Sequence, residues 1–468
     1  MTRIAGLWPL ALGVVVGGVG YGFSAYEARW IVYAVLGAAL AVTIVALPER
    51  RTFFLGAFVL SLQADVSIRF LHGHAGSHGL VFPLPFMMAV GLIAEELRYP
   101  DFRQRARLWG GALTLPIVAL LGTSVLSLLT TSEQFVGLSQ FTTELELVFL
   151  YWVGANAVRS EKDLRLVFRL LLVVLGIQAV VYVIQSRLGI SFDLVGVAKQ
   201  LGDLPRPGGT VSTHPAGFGS FVLPILFMAL AQFMVLPKRR QKGLAVLIAL
   251  SLVSLALTYT RACWGAFMIG FTVLVVLAGV RRLLRPDRMM KVAVAGVVAT
   301  VLLLPLVAAR LTQSPLDESY AERVALMRMA QTVIVAHPIS GVGPGAYRHT
   351  YRGHLSADFD GFWSATVHNA YLLRAAETGI LGGAMLVILL ASAIVLGVRL
   401  TKLSSRVSAT AALGITAGIC ALAFEMYWDM WRGFCYNAML WFILGILEAI
   451  RRLALPGSPA AAGAANRA

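Results

Sequence analysis

Charge is scarce in this sequence. Only 13% of its 468 residues are Asp, Glu, Lys or Arg, about half the ~25% of an ordinary soluble domain. A water-facing globule is therefore excluded, and the 58% of hydrophobic residues points the same way. Cysteine is scarce too: Cys263, Cys420 and Cys435 all lie in or beside apolar runs. They make neither a disulfide framework nor a zinc spacing, and read as core residues. Short alternating strands are missing, which excludes an outer-membrane barrel. No internal repeat is visible, which weighs against transporter folds assembled from inverted halves. No small-residue cleavage site follows the apolar run after Arg3, so that run reads as a first span and not a signal peptide.

What the chain has instead is long apolar segments. A membrane-spanning helix needs about 20 apolar residues, and the candidates are 5–25, 30–47, 52–70, 80–96, 108–130, 141–158, 165–186, 215–236, 243–260, 262–280, 291–309, 368–398, 407–429 and 433–450. The third and fourth are the weakest. The expected fold is all-α, a polytopic transmembrane bundle of about 12–14 spans. The net charge of +16 would suggest nucleic acid in a soluble protein; here it reflects basic residues in short cytoplasmic loops. Every second loop is basic, from Arg50 and Arg51 through Arg98 to Arg107, Arg159 to Arg165, Lys238 to Lys242, Arg281 to Lys291 and Arg399 to Arg406, ending at Arg451 and Arg452. That alternation places both termini in the cytoplasm. The chain then divides into spans with short loops (1–309), a large loop on the opposite face (310–367), further spans (368–455) and an Ala/Gly-rich tail (456–468) expected to be disordered.

The 310–367 interval collects charge, glycine and aromatics, which cannot lie bare in hydrocarbon. Within it Tyr320 to Ala336 has no proline or glycine, and predicts a helix on the membrane surface. Four clusters fall on the outer face: Arg206-Pro207-Gly208-Gly209-Thr210 with Ser212-Thr213-His214-Pro215; Thr258-Tyr259-Thr260-Arg261; His337-Pro338 with Gly341, Gly343 and Gly345; and His368-Asn369-Ala370-Tyr371 leading to Glu377, Gly379 and Gly382. Arg261 sits between two apolar segments, where a charge is costly. It either snorkels to the headgroups or binds a phosphate or pyrophosphate bidentately. Arg206, in a Pro/Gly-rich loop, reads as either solvated or anion-binding. The glycines of 341–345 could offer backbone N–H groups to an anion, or simply make a tight turn. His368 is a candidate general base or a helix-start histidine bonded to backbone, and Tyr371 lies at i+3 on its face. Arg374 and Glu377 read as a structural i, i+3 pair.

In this order the clusters resemble the O-antigen ligase and polymerase superfamily of bacterial envelope glycosyltransferases. The carrying residues are Arg206, Gly209 and His214-Pro215; Thr260-Arg261; His337-Pro338 with Gly341 to Gly345; and His368-Asn369 with Tyr371, Leu372, Glu377, Gly379 and Gly382. The resemblance covers residues 200 to 385 in detail. It implies a GT-C-like bundle with a large periplasmic loop, in the bacterial inner membrane, with the active site facing the periplasm. The activity it implies is transfer of a glycan from undecaprenyl pyrophosphate to an acceptor sugar, with neither nucleotide sugar nor metal nor other cofactor. Carried over, Arg206 and Arg261 would hold the pyrophosphate and His368 would take the acceptor's proton, with His337, Arg348, Tyr371 and His214 as secondary contacts. Fourteen spans is slightly more than that family leads one to expect, so either two early ones are short or interfacial helices or the chain is an outlying branch. The leading reading is a ligase that moves polysaccharide onto lipid A core in lipopolysaccharide biosynthesis. A repeat-unit polymerase and a protein O-oligosaccharyltransferase share the same residues. A lipid-linked sugar flippase is disfavoured by the sparse mid-span charge, for which Asp65, Glu144, Glu146, Glu425 and Asp429 are the nearest cases.

Overall fold

The computed structural model describes residues 49–70, 80–100, 102, 106–107, 110–189, 199–201, 204–212, 214–235, 241–283, 308, 316–350 and 366–455. The expected spans 5–25 and 30–47, nearly all of 291–309 and the tail after 455 lie outside those residues. The chain forms two units, Met1–Ala57 and Phe58–Ala468, and of the first only residues 49–57 are described.

Thirteen helices and two small antiparallel sheets are present among the described residues. In order they are α1 (Arg50–Ser61), β1 (Ser67–Phe70), β2 (Leu80–Pro83), α2 (Leu84–Glu96), α3 (Thr114–Thr130), α4 (Gln134–Ala157), α5 (Glu161–Leu188), β3 (Lys199–Leu201), β4 (Leu204–Arg206), α6 (Pro215–Val235), α7 (Gln241–Ala256), α8 (Arg261–Val280), α9 (Leu316–Ala336), α10 (Tyr347–Thr350), α11 (Ala370–Leu400), α12 (Arg406–Glu425) and α13 (Phe434–Leu453). Six of them, α5, α6, α8, α11, α12 and α13, are long and apolar enough to cross a membrane, and α3 and α7 are shorter apolar helices. This is a polytopic helical membrane protein.

The third and fourth expected spans are corrected. Residues 52–70 fold as the end of α1 and strand β1, and 80–96 as β2 and α2, with β1 and β2 paired Ser67 to Pro83. At 1.5 Å per residue the 12 residues of α1 and 13 of α2 reach only about 20 Å, short of the ~30 Å hydrocarbon thickness. Helix α4 has spanning length at 24 residues, but Glu144 and Glu146 interrupt its apolar run.

Small residues set how closely the central helices approach. On α12, a Cβ at Gly414 would lie 2.6 Å from Met228 Cα of α6, and one at Gly418 would lie 2.8 Å from Pro224 Cα. This is the small-xxx-small logic of membrane helix packing, in which backbones meet because no side chain intervenes. Gly154 of α4 meets α13 in the same manner, a Cβ there lying 2.8 Å from the Phe442 carbonyl oxygen. Around this centre α5 opens on Ser160, whose hydroxyl accepts the Asp163 N–H, and closes on left-handed Gly189.

The charged interval holds helix α9, which begins four residues before the expected Tyr320. It does not lie free on a surface. Leu326, Met329, Ala330 and Val333 form an i, i+3, i+4, i+7 stripe, buried against Val342, Ala346, Tyr347, Val367, Leu373 and Ala376. That packing fixes α9 and the glycine-rich turn onto the first half of α11.

Candidate functional site

Three of the sequence clusters fold around the N-terminal ends of α8 and α11. The junction between α7 and α8 is only Leu257 to Thr260. Tyr259 turns the chain there with φ +48, a left-handed conformation that side chains seldom adopt. The turn presents polar backbone to Arg206 at the end of β4. The Arg206 guanidinium donates from Nε to the Thr258 carbonyl at 2.9 Å and from Nη2 to Thr260 Oγ1 at 3.1 Å. Burial, reinforced by the neighbouring Arg261 charge, lowers the Arg206 pKa from its ordinary value. An arginine remains charged nonetheless. Two guanidiniums 55 residues apart in sequence thus share one junction.

The loop carrying Arg206 is held from α5. Gln178 donates from Nε2 to Thr210 Oγ1 at 2.6 Å, Thr210 donates to the Gln63 carbonyl at 2.8 Å, and Gln185 donates to the Gly209 carbonyl at 3.3 Å. Gly209 has φ +69, and a Cβ there would lie 2.7 Å from Gln178 Oε1. At the loop's end the His214 N–H donates to Ser212 Oγ at 3.0 Å, and the His214 carbonyl accepts from Phe218 in the first turn of α6. Phe218 in turn lies 4.0 Å, centroid to centroid, from Tyr182 of α5.

From Arg261 the contacts lead to His368 through α12. Two residues along α8, the Cys263 thiol donates to Glu425 Oε1 at 2.9 Å. Glu425 is fully buried at the last position of α12. The carbonyl of the next residue, Met426, accepts the Ala370 N–H at 2.8 Å, and the Tyr371 hydroxyl donates to the Ala423 carbonyl at 2.7 Å. His368 is half-buried at the bend before α11, with its Nδ1 buried. Asn369 caps the helix by accepting the Leu372 N–H at 3.0 Å. The end of α12 therefore connects the arginine junction to the start of α11.

The glycine-rich turn has a different use from anion binding. The N–H groups of Gly341, Val342 and Gly343 donate to the carbonyls of His337, Ala376 and Glu377, and that of Ile380 donates back to Pro338. The Gly345 N–H bonds the Glu377 carboxylate. These donors are spent within the protein. Their target is a break in α11, where Gly379 has φ +77 and Thr378 leaves helical geometry. Gly341 (φ +66) and Gly343 (φ +119) lie so close to α11 and Thr131 that any Cβ would collide. His337, beside Pro338, therefore lies near Ile380, twelve positions along α11 from His368. His337 and Arg348 are both exposed, one on each side of this turn. Arg374 and Glu377 do not pair with each other either. Arg374 pairs with Glu144 and Glu377 with Arg432.

Residues 246–387 match the family model described as O-antigen ligase. This stretch is similar to the O-antigen ligase family. No curated protein matches the chain. The matched segment runs from α7 into α11 and includes Arg261, His337, Arg348, His368 and Tyr371, while Arg206 and His214 precede it. Glycosyltransferase-type activity on polysaccharide at a membrane follows from the family. The matched segment alone does not bring the site together. Arg206 docks onto it from the preceding hairpin, and Glu425 supports it from α12. The sequence marks Glu425 only as one of the sparse mid-span charges and does not mark Arg432, since each looks like an isolated charge near a span end and its partner is 55 to 162 residues away.

Proposed function

We propose that the protein is an O-antigen ligase, an inverting glycosyltransferase that moves a glycan from undecaprenyl pyrophosphate to lipid A core at the periplasmic face of the inner membrane. The observation that carries this reading is the convergence of Arg206 and Arg261 on the Thr258–Thr260 junction, connected to His368 by the end of α12. Two partly desolvated guanidiniums repel each other, and a pyrophosphate between them relieves both the repulsion and the lost hydration. Pyrophosphate leaves readily once its charge is held. The donor thus needs no acid, whereas the acceptor hydroxyl needs a base.

The reaction is one displacement. His368 accepts the proton of the acceptor hydroxyl as that oxygen forms its bond to the anomeric carbon. The bond from that carbon to the pyrophosphate oxygen breaks on the opposite face, which inverts the configuration. The electron pair departs on the pyrophosphate, held by Arg206 and Arg261. Base and leaving group must flank one carbon for this to proceed.

The test is transfer by purified protein given undecaprenyl-pyrophosphate glycan, with lipid A core or further donor as acceptor, beside His368→Ala and Arg261→Ala. Glycosylated lipid A core that disappears in both variants is the expected result. Elongated lipid-linked glycan with no use of the core would make the protein a repeat-unit polymerase. Turnover with a protein hydroxyl alone would make it an O-oligosaccharyltransferase, and movement of lipid-linked sugar without transfer would make it a flippase.

A further inference from the structure

A cavity of about 560 Å³ lies beside the start of α11, bounded by α3, α4, α11 and α13. Arg206, Arg261 and His368 do not line it. Ala370 and Met426 do, so its wall includes the very residues that link His368 to α12. The volume is that of a small-molecule site.

The lining changes character along its length. At the N-terminal ends of α4 and α13 it is polar, with Gln140, Thr143, Trp431, Arg432 and Asn437. Further along it is walled by Leu386, Leu389 and Leu390 of α11 and by Leu440 and Leu444 of α13. Along α13, Asn437 and Leu444 are seven positions apart, about 10 Å at 1.5 Å per residue. The space is therefore polar at one end and aliphatic at the other. The shape and chemistry are those of an amphiphile with a hydroxylated head and a hydrocarbon chain.

The polar end carries little free cationic charge. Arg374 is neutralised by Glu144 and Arg432 by Glu377, so a pyrophosphate finds no net attraction here. Carboxylates, amides and an indole are instead the groups that address sugar hydroxyls and ring faces. One of them is left waiting. The Trp431 indole Nε1–H is buried with no hydrogen-bond partner among the described residues, in a residue only 8% exposed and held at φ +55. A buried donor without an acceptor is costly. Trp431 is among the residues that line the cavity.

We propose that this cavity binds the glycolipid acceptor, with a sugar against Trp431, Gln140 and Asn437 and one acyl chain along the leucines. The assignment rests on the reading that the chain joins a glycan to a lipid-borne acceptor. It gives donor and acceptor separate sites beside the start of α11, with His368 at the boundary.

The experiment is equilibrium binding to the purified full chain in nanodiscs. The probes are lipid A core, phosphatidylglycerol as a glycan-free lipid, and undecaprenyl pyrophosphate. Trp431→Phe removes the indole N–H and keeps an aromatic ring, and Leu389→Trp fills the aliphatic end; unaltered thermal unfolding marks each variant as folded. Both should weaken lipid A core binding about tenfold, and Arg261→Ala should leave it unchanged. Undecaprenyl pyrophosphate should respond to Arg261→Ala only. Equal affinity for phosphatidylglycerol would show that ordinary bilayer lipid fills the cavity, and a loss of donor binding in Trp431→Phe would give the cavity to the donor. Either result overturns the proposal, as does unchanged lipid A core affinity in both folded variants. If binding behaves as expected and no transfer occurs, the ligase reading fails while the glycolipid site stands. If transfer occurs and these variants do not alter acceptor affinity, the reverse holds.

Discussion

Arg374 and Glu144 should respond very differently to single and to joint replacement. Their side chains are 13% and 11% exposed and form an ion pair, and Arg374 also donates from Nη2 to Ser124 Oγ at 2.5 Å and to the Leu120 carbonyl at 3.2 Å. Glu144→Leu leaves the guanidinium with two neutral acceptors in an enclosed setting, which should cost about 3–5 kcal/mol. Arg374→Met leaves the carboxylate with Ser124 alone and should cost a similar amount. The double replacement removes both charges together with their desolvation penalty, and should lie within about 1 kcal/mol of the wild type or above it. The two single losses then exceed the double loss by several kcal/mol, a coupling measurable by a double-mutant cycle on denaturant unfolding in mixed micelles. Singles that each stay within about 1 kcal/mol of the wild type would mean that water reaches the pair, and the packing argument for α3, α4 and α11 would fail.

Gly379→Ala should destabilise by about 1–2 kcal/mol from its left-handed backbone alone, and by more because its Cβ meets the Ile339 carbonyl; Ala in place of exposed Ile380 is the control, and equal unfolding midpoints would count against the docked turn. Arg206→Lys cannot reproduce the fork that reaches Thr258 and Thr260, so the Km for the lipid-linked donor should rise about tenfold with acceptor Km unchanged; an unchanged donor Km would remove Arg206 from the pyrophosphate site. If His368 takes the acceptor proton, transfer slows on acidification as an imidazole becomes protonated, and the residual rate of His368→Ala should lack that acid limb in a pH–rate series. An identical acid limb in the variant would assign the base elsewhere.

The bundle was legible because hydropathy is a local signal summed over many residues. The early spans misled because 52–70 and 80–96 are apolar enough over a window, although Pro83 and the polar stretch around Asp65 break each into a short helix and a strand. The Gly414-Ile415-Thr416-Ala417-Gly418 stretch has the spacing of a close-packing motif, but nothing in it names its partner on α6. In the site, Arg261 and His368 were visible because each lies beside an apolar run, where a polar group needs a reason. Glycine misled for the opposite cause. The Gly341 to Gly345 run has the composition of an anion-binding loop, but composition does not say whether an N–H faces a ligand or a neighbouring helix. Only the break at Thr378–Gly379, itself unmarked except by a glycine, decides that.

The connections between distant segments, which the sequence does not show, gather at one place. The stretch from Glu425 to Gly433 touches Cys263 through Glu425, the start of α11 through Met426, α9 through Arg323 on the Trp428 carbonyl at 2.6 Å, and the α11 break through Arg432. A displacement of this stretch cannot alter one of these contacts and leave the rest in place, because they are separated by at most one or two turns of chain. In the proposed reading, donor-side and acceptor-side residues are thus in contact with one stretch of nine residues outside the matched segment. The segment matched to the family ends at residue 387, and the two helices after α11, α12 and α13, are among the most enclosed in the bundle. They hold the stretch on which both sides of His368 are built.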